Sequence, residues 1–271
     1  MGDFFISTEE LRRRIGTGEA PLICDVRRRE IYAESPQVLP TARWREHAQA
    51  GEWSRDLPRA ADVVLYCVHG HNVSQLAAAV LREAGLRARV LQGGFEAWRH
   101  AGLPLIGKAA LPGRDETRPS RWVTRLRPKI DRIACPWLIR RFIDAQAQFY
   151  FVEPAQVAPV AKELHAIAYD VEGVEITHAG EMCTFDTLIE RFGIEDAALR
   201  DLAPIVRGAD TGRFDLAAEA AGLLAVSLGI SALCGSDDAK ALDRGLPVYD
   251  ALYAWRRSAA AETHGWPPKG S

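Results

Sequence analysis

Short apolar runs, separated by polar and turn-forming stretches, set the pattern of the first hundred residues. Leu22-Ile23-Cys24-Asp25-Val26, Val63-Val64-Leu65-Tyr66 and Arg89-Val90-Leu91 have the length of buried strands and lack the alternation of a half-exposed one. Helical stretches stand between them. One starts at Glu9-Glu10-Leu11 with Thr8 as N-cap, and another covers residues 74–84 and ends at Gly85. Gly93-Gly94 marks a turn before Phe95-Glu96-Ala97-Trp98. This alternation predicts an α/β unit, an open parallel sheet with helices on both faces.

The pattern then changes. Residues 107–120, with Pro112, Gly113 and Pro119, have no sustained period and read as a linker. Beyond it, Arg121-Trp122-Val123-Thr124, Phe149-Tyr150-Phe151-Val152 and Glu175-Ile176-Thr177-His178 read as strands. From Met182 to Trp255, Leu, Ala and Ile recur at three- and four-residue spacing, so the second unit is expected to be a mainly helical α+β domain. Its most apolar stretch, 217–230, reads as a buried helix, and the tail from Ser258 through Trp266-Pro267-Pro268-Lys269 as loose. The predicted division is 1–106, linker 107–120, 121–257 and tail 258–271.

Composition narrows the classes. At 271 residues the length favours two domains, and 48% hydrophobic with 26% charged residues is ordinary for a globular protein. A net charge of −2 gives no basic excess for nucleic-acid binding. Five cysteines, none in a C-x-x-C pair, argue against a secreted disulfide framework. The start lacks a basic, apolar leader, and no apolar run approaches the roughly 20 residues needed to span a bilayer. The expected location is cytoplasmic, without membrane attachment.

The densest chemistry lies at Cys67-Val68-His69-Gly70-His71-Asn72. A cysteine that ends a buried strand, followed by a Gly-containing loop and a helix start, sits where backbone N–H groups and the helix dipole favour thiolate. The plainer reading is a small hydrophobe at a strand end.

The segment around Cys67, together with Cys24-Asp25-Val26-Arg27, Leu91-Gln92-Gly93-Gly94-Phe95-Glu96-Ala97-Trp98 and Gly102-Leu103-Pro104, resembles the rhodanese (sulfurtransferase) domain over residues 5–105. The resemblance implies a rhodanese-like fold in which Cys67 takes sulfane sulfur from a donor and passes it to a thiol acceptor. Val68, His69, Gly70, His71 and Asn72 would then form the persulfide loop, their N–H groups facing the outer sulfur. No cofactor is obligatory for that transfer. Asp25 and Arg27 are supporting residues, either as a structural ion pair or as substrate contacts. Asn72 stands where many active rhodaneses carry an arginine, and Ser35-Pro36-Gln37 replaces a usual Gly-His segment. Thiosulfate is therefore expected to be a poorer donor than a persulfide. Phosphatase chemistry, which needs an arginine clamp on the oxyanion, is set aside.

The second unit resembles the C-terminal domain of chromate-resistance ChrB-type proteins. Trp122-Val123-Thr124, the run from Arg127 to Asp144, residues 178–185, Val206-Arg207-Gly208-Ala209-Asp210-Thr211 and residues 249–255 carry the resemblance. It implies a role in chromate resistance through metal or oxyanion handling, or through regulation. Asp131, His178, Cys183 and Asp210 offer carboxylate, imidazole and thiolate donors suited to a zinc-like divalent metal. Cys135 stands near a predicted helix start, where thiolate is favoured. A rival reading gathers Arg132, Arg140, Arg141 and Arg207 into a chromate pocket. Separate structural roles for all these groups remain the plain alternative.

Together these readings predict a sulfurtransferase domain fused to a metal- or oxyanion-binding domain. The alternative is a chromate- or redox-responsive regulator whose first domain performs no turnover.

Overall fold

The computed structural model describes residues 4–111 and 119–262. In chain order the first domain contains strands β1 (Phe5–Ile6), β2 (Leu22–Asp25), β3 (Gln37–Val38), β4 (Arg43–Trp44), β5 (Asp62–Tyr66), β6 (Arg87–Leu91) and β7 (Ile106–Gly107). Its helices are α1 (Thr8–Arg14), α2 (Arg29–Glu34), α3 (Ala50–Trp53), α4 (Asn72–Glu83) and α5 (Gly94–His100). Five strands form one sheet in the order β1-β6-β5-β2-β4, with every pair parallel.

The unbroken apolar character of β5 has a direct cause. Val63 and Leu65 face one side, against Ala77, Ala78 and Leu81 of α4. Val64 and Tyr66 face the other, with Leu11 of α1 and Phe95 and Trp98 of α5. Side chains alternate across a strand, so helices on both faces require apolar residues at every position.

Two local readings change. Ser7, extended at the end of β1, caps α1 by accepting from the Glu10 N–H at 3.1 Å, and Thr8 is already helical. The linker start is anchored as well: Ile106–Gly107 pairs antiparallel with β3, and Lys108–Ala110 forms a single 3-10 turn. Pro112 and Gly113 lie outside the described residues.

The second domain holds a three-stranded parallel sheet, β10-β8-β9, made from β8 (Arg121–Arg125), β9 (Gln148–Val152) and β10 (Ile167–Ala168). Helices α6 (Asp131–Leu138), α7 (Val157–Leu164), α8 (Thr184–Arg191), α9 (Ala197–Thr211), α10 (Ala220–Cys234) and α11 (Asp238–Ala254) make up most of the rest. Trp137 is the centre of this packing, its ring 5.6–6.3 Å from those of Phe142, Phe185, Tyr249 and Tyr253.

Residues 175–178 do not form the expected strand. The chain turns at Asp170 (φ 51°) and Gly173 (φ 83°), and only Ile176 bridges back to Tyr169. The apolar stretch near 217–230 is helical, but it is not buried. α10 covers only Ala220, Leu223, Ser227, Ser231 and Cys234, while Val226, Leu228 and Leu233 are exposed. Ser258 and Ala259, expected to be loose, lie in the π-helical turn Trp255–Ala259 that extends α11, and residues 263–271 lie outside the described residues.

The domains are packed together. One apolar cluster contains Leu11, Ile15, Trp98 and Ile106 alongside Trp137, Phe142, Phe192 and Tyr253. Across the junction the Thr41 N–H donates to the Phe142 carbonyl at 2.8 Å, and Arg43 pairs with Asp144 at 2.7 Å. The Arg257 guanidinium donates to the Arg12, Arg13 and Ile15 carbonyls at the end of α1. Among the described residues no helix is long and apolar enough to cross a membrane.

Candidate functional site

Cys67 follows the last residue of β5, and its loop closes five residues later at the first residue of α4. Two glycines determine the shape of that loop. Gly70 (φ 71°) has its α-carbon against the Leu91 carbonyl and the Gly93 and Gly94 N–H groups, so a β-carbon there would clash. Gly94 (φ 60°) approaches from the other side, against the Cys67 and Val68 carbonyls and the Gly70 nitrogen. At the start of α5, the Phe95 and Glu96 N–H groups donate to the Cys67 and Val68 carbonyls at 2.9 and 3.0 Å. With those carbonyls held outward, N–H groups of the loop are left to face the sulfur.

Burial works against ionisation of Cys67, but it is outweighed. The Ser74 hydroxyl, 3.2 Å from the sulfur, and the backbone N–H groups of Ser74, His71 and His69 bring the thiol below its ordinary range. The N-terminus of α4 adds its dipole in the same sense. Cys67 alkylation is accordingly expected to reach half-maximal rate at a lower pH than free cysteine. Ser74→Ala should move that midpoint upward, as followed by iodoacetamide kinetics; an unmoved midpoint would show that the hydroxyl contributes nothing. His69 and His71 stand at the exposed mouth with ring centroids 6.1 Å apart, and Asn72 is exposed beside them.

A second cluster forms in the other domain. His178 Nε2 lies 3.1 Å from Asp210 Oδ2, 3.6 Å from Asp131 Oδ2 and 3.6 Å from Asp170 Oδ1. Asp131 begins α6, Asp170 follows β10, and Asp210 comes from the last turn of α9. The Thr184 N–H at the start of α8 donates to Asp131 Oδ2 at 2.6 Å, and its hydroxyl donates to Asp170 Oδ1 at 2.9 Å. Burial, then Asp210 and Asp170, push the Asp131 carboxyl well above the usual range; burial, then Asp170, raise Asp210. Asp131, His178 and Asp210 therefore meet, as the sequence reading grouped them. Cys183 sits just before α8, next to Thr184, fully buried, and burial drives its thiol far up.

Residues 122–256 match the family profile "ChrB, C-terminal domain", and residues 7–101 match "Rhodanese-like domain". The chain joins a rhodanese-like domain to a ChrB C-terminal domain. Protein ChrB of Cupriavidus metallidurans is 38% identical over 146 residues, which is 53% of this chain and 43% of that protein. The chain thus spans less than half the length of that relative. A sulfurtransferase of Allochromatium vinosum is 29% identical over 101 residues, covering 37% of this chain and 92% of that protein. A rhodanese-related protein from Thermoplasma volcanium aligns with a TM-score of 0.34 at 22% identity, over 38% of this chain and 96% of that one.

In the rhodanese-like domain, Asp25 and Arg27 form a buried ion pair at 2.6 Å beneath the loop. Tyr66 donates to Asp25 at 2.7 Å, Arg27 donates to Ser35 and to the Gln37 carbonyl, and its guanidinium lies 4.3 Å from the Phe95 ring centre. Through Phe95 the pair holds the first turn of α5, which ties down the Cys67 carbonyl.

In the ChrB-type domain the four arginines do not converge. Arg132 lies 3.3 Å from Asp170, Arg141 forks onto Asp250, Arg207 meets Asp186 and Met182, and Arg140 faces the Phe149 ring and the Ala147 carbonyl. Each is turned to a different partner, so they form no shared oxyanion pocket. Cys135 is also not an activated thiol: it is fully buried in α6, and burial together with Asp131 and Asp170 pushes its pKa well up. The sequence reading missed three contributors: Ser74, Gly94 and Asp170. A serine one turn into the helix was a signal for the first; the other two act through contacts between distant segments.

Proposed function

We propose that the rhodanese-like domain is a sulfurtransferase carrying a persulfide on Cys67, and that it serves chromate resistance together with the ChrB-type domain. The observation that carries this reading is the strand-end thiol held below its ordinary pKa by Ser74 and loop N–H groups. The Cys67 thiolate attacks the outer sulfur of a donor persulfide, R–S–S⁻. The donor S–S bond breaks, the donor leaves as a thiolate that takes a proton from water, and Cys67–S–S⁻ forms. An acceptor thiolate then attacks the outer sulfur and releases the Cys67 thiolate, so no net oxidant is needed.

The same loop supports the donor preference. Neutral backbone dipoles and Asn72 replace a guanidinium at the mouth, where His69 and His71 are the nearby titratable groups. A dianionic thiosulfate gains less there than a monoanionic persulfide. Intact-mass measurement after incubation with a low-molecular-weight persulfide should show one added sulfur atom, absent in Cys67→Ser and removed by excess thiol. An unmodified Cys67 with every donor tried would overturn the carrier reading in favour of a regulator without turnover.

A further inference from the structure

We infer that the ChrB-type domain holds one divalent cation of the manganese, iron or zinc type between Asp131, Asp170 and His178, with Asp210 beside His178 as a further carboxylate. The inference deepens the proposed function by giving that domain its ligand, and it does not depend on sulfur transfer at Cys67.

The spacing is the first support. Two donors each about 2.1 Å from a shared ion stand about 3.0 Å apart in octahedral geometry and about 3.4 Å apart in tetrahedral geometry. The three separations from His178 Nε2, at 3.1, 3.6 and 3.6 Å, are close to those edges. The donor atoms of Asp131, Asp170 and His178 all lie within 4.8 Å of one another.

An independent support is Asp131 Oδ1. Asp131 is 1% exposed, and this oxygen is buried with no hydrogen-bond partner. A carboxyl oxygen left bare in such a place carries an uncompensated desolvation cost, and a bound cation removes it. Asp131 Oδ2, the oxygen 3.6 Å from His178 Nε2, also accepts the Thr184 N–H, so the carboxyl keeps one partnered oxygen in the cluster and one that a cation would satisfy.

The surroundings orient the donors. Thr184 fixes both Asp131 and Asp170, while Arg125 and Arg132 approach only Asp170 Oδ2, leaving Oδ1 toward His178. Such outer contacts are how metal sites aim their ligands. Oxygen and imidazole donors without thiolate select a hard or borderline ion over a soft one. The donor atoms that come together among the described residues are carboxylate and imidazole, without the Cys183 thiol, so Cys183 is left outside the ligand set. Asp131 and Asp170 form a buried floor, whereas the His178 side chain is 41% exposed and leaves one side open to water. The ion is therefore exchangeable.

The test uses the full chain, stripped with chelator and titrated separately with Mn²⁺ and Zn²⁺ by calorimetry. One equivalent of at least one ion should bind. Asp170→Asn and His178→Ala should each weaken binding at least tenfold, while Cys183→Ser binds as the parent does. His178 is on the rim, so His178→Ala should keep the parent's far-ultraviolet circular dichroism and still acquire sulfur on Cys67. Cys67→Ser should still bind metal, which separates failure of this site from failure of the sulfur carrier. The Co²⁺-loaded protein should lack a thiolate-to-cobalt charge-transfer band. Absence of stoichiometric uptake by the folded chain, unchanged affinity in both ligand variants, or a strong thiolate band would each overturn the assignment.

Discussion

Gly94→Ala is expected to slow sulfur transfer at Cys67 by about 100-fold or more, the order of loss that a misplacement of about 1 Å produces at a reacting centre. The new β-carbon would stand 2.5 Å from the Gly70 nitrogen and 2.7 Å from the Val68 carbonyl oxygen, and would also press on the Cys67 carbonyl. All three are backbone atoms, so no side chain can swing aside. Either the loop lifts, turning N–H groups away from the sulfur, or α5 shifts and releases the carbonyls it holds. Gly102→Ala is the control: its φ of 63° imposes the same kind of backbone strain with nothing within 4 Å of the added carbon. Single-turnover persulfide transfer and alkylation rates should therefore fall in Gly94→Ala and stay near parental in Gly102→Ala. A Gly94→Ala protein with activity within threefold of the parent would show that the interlock does not position the loop.

Asp25→Asn should destabilise the chain by about 3–5 kcal/mol, the usual cost of removing one partner from a buried ion pair. Asn has nearly the shape of Asp, so the effect isolates charge and hydrogen bonding from cavity formation. Asp25 accepts from the Arg27 backbone N–H, from its Nε and Nη2, and from the Tyr66 hydroxyl. The amide keeps one neutral oxygen and turns an N–H₂ toward the other position, so a guanidinium 2% exposed loses its counter-charge and one acceptor, with the Ser35 hydroxyl and the Gln37 carbonyl as its other acceptors. Urea unfolding followed by tryptophan fluorescence reads the loss. A change below about 1 kcal/mol would mean that the site relaxes and hydrates the arginine.

How much of this was legible in the sequence depends on distance along the chain. The strands at Leu22, Val63 and Arg89 could be read because both faces of the sheet are covered, which forces continuous apolar runs. The Cys67 loop could be read because strand end, glycine and helix start are contiguous. Ser74 lies only one turn farther on, yet its role required knowing that α4 begins at Asn72 rather than at Ser74 itself. Gly94 was visible as a turn but not as the partner of Gly70, because the return of α5 beneath the loop is a tertiary fact. Asp170 stood in no recognisable spacing, and its left-handed backbone (φ 51°) is rare for a residue other than glycine. The β-forming neighbours of His178 point to a strand, whereas the turn at Gly173 takes the segment out of the sheet and into the carboxylate cluster. The exposed face of α10 shows the limit of composition alone: an all-round apolar helix reads as buried, and only packing shows which side is covered.

Arg257 sits beyond the last α-helix of the ChrB-type domain, yet it supplies acceptor satisfaction to α1, the first helix of the chain. The limits drawn by family likeness, 7–101 and 122–256, are thus limits of ancestry and not of structural independence. Cut between them, the rhodanese-like half would keep its reactive loop but lose the guanidinium over three helix-end carbonyls and the apolar surface that Tyr253 and Phe142 cover. Two inherited modules have become one piece of architecture.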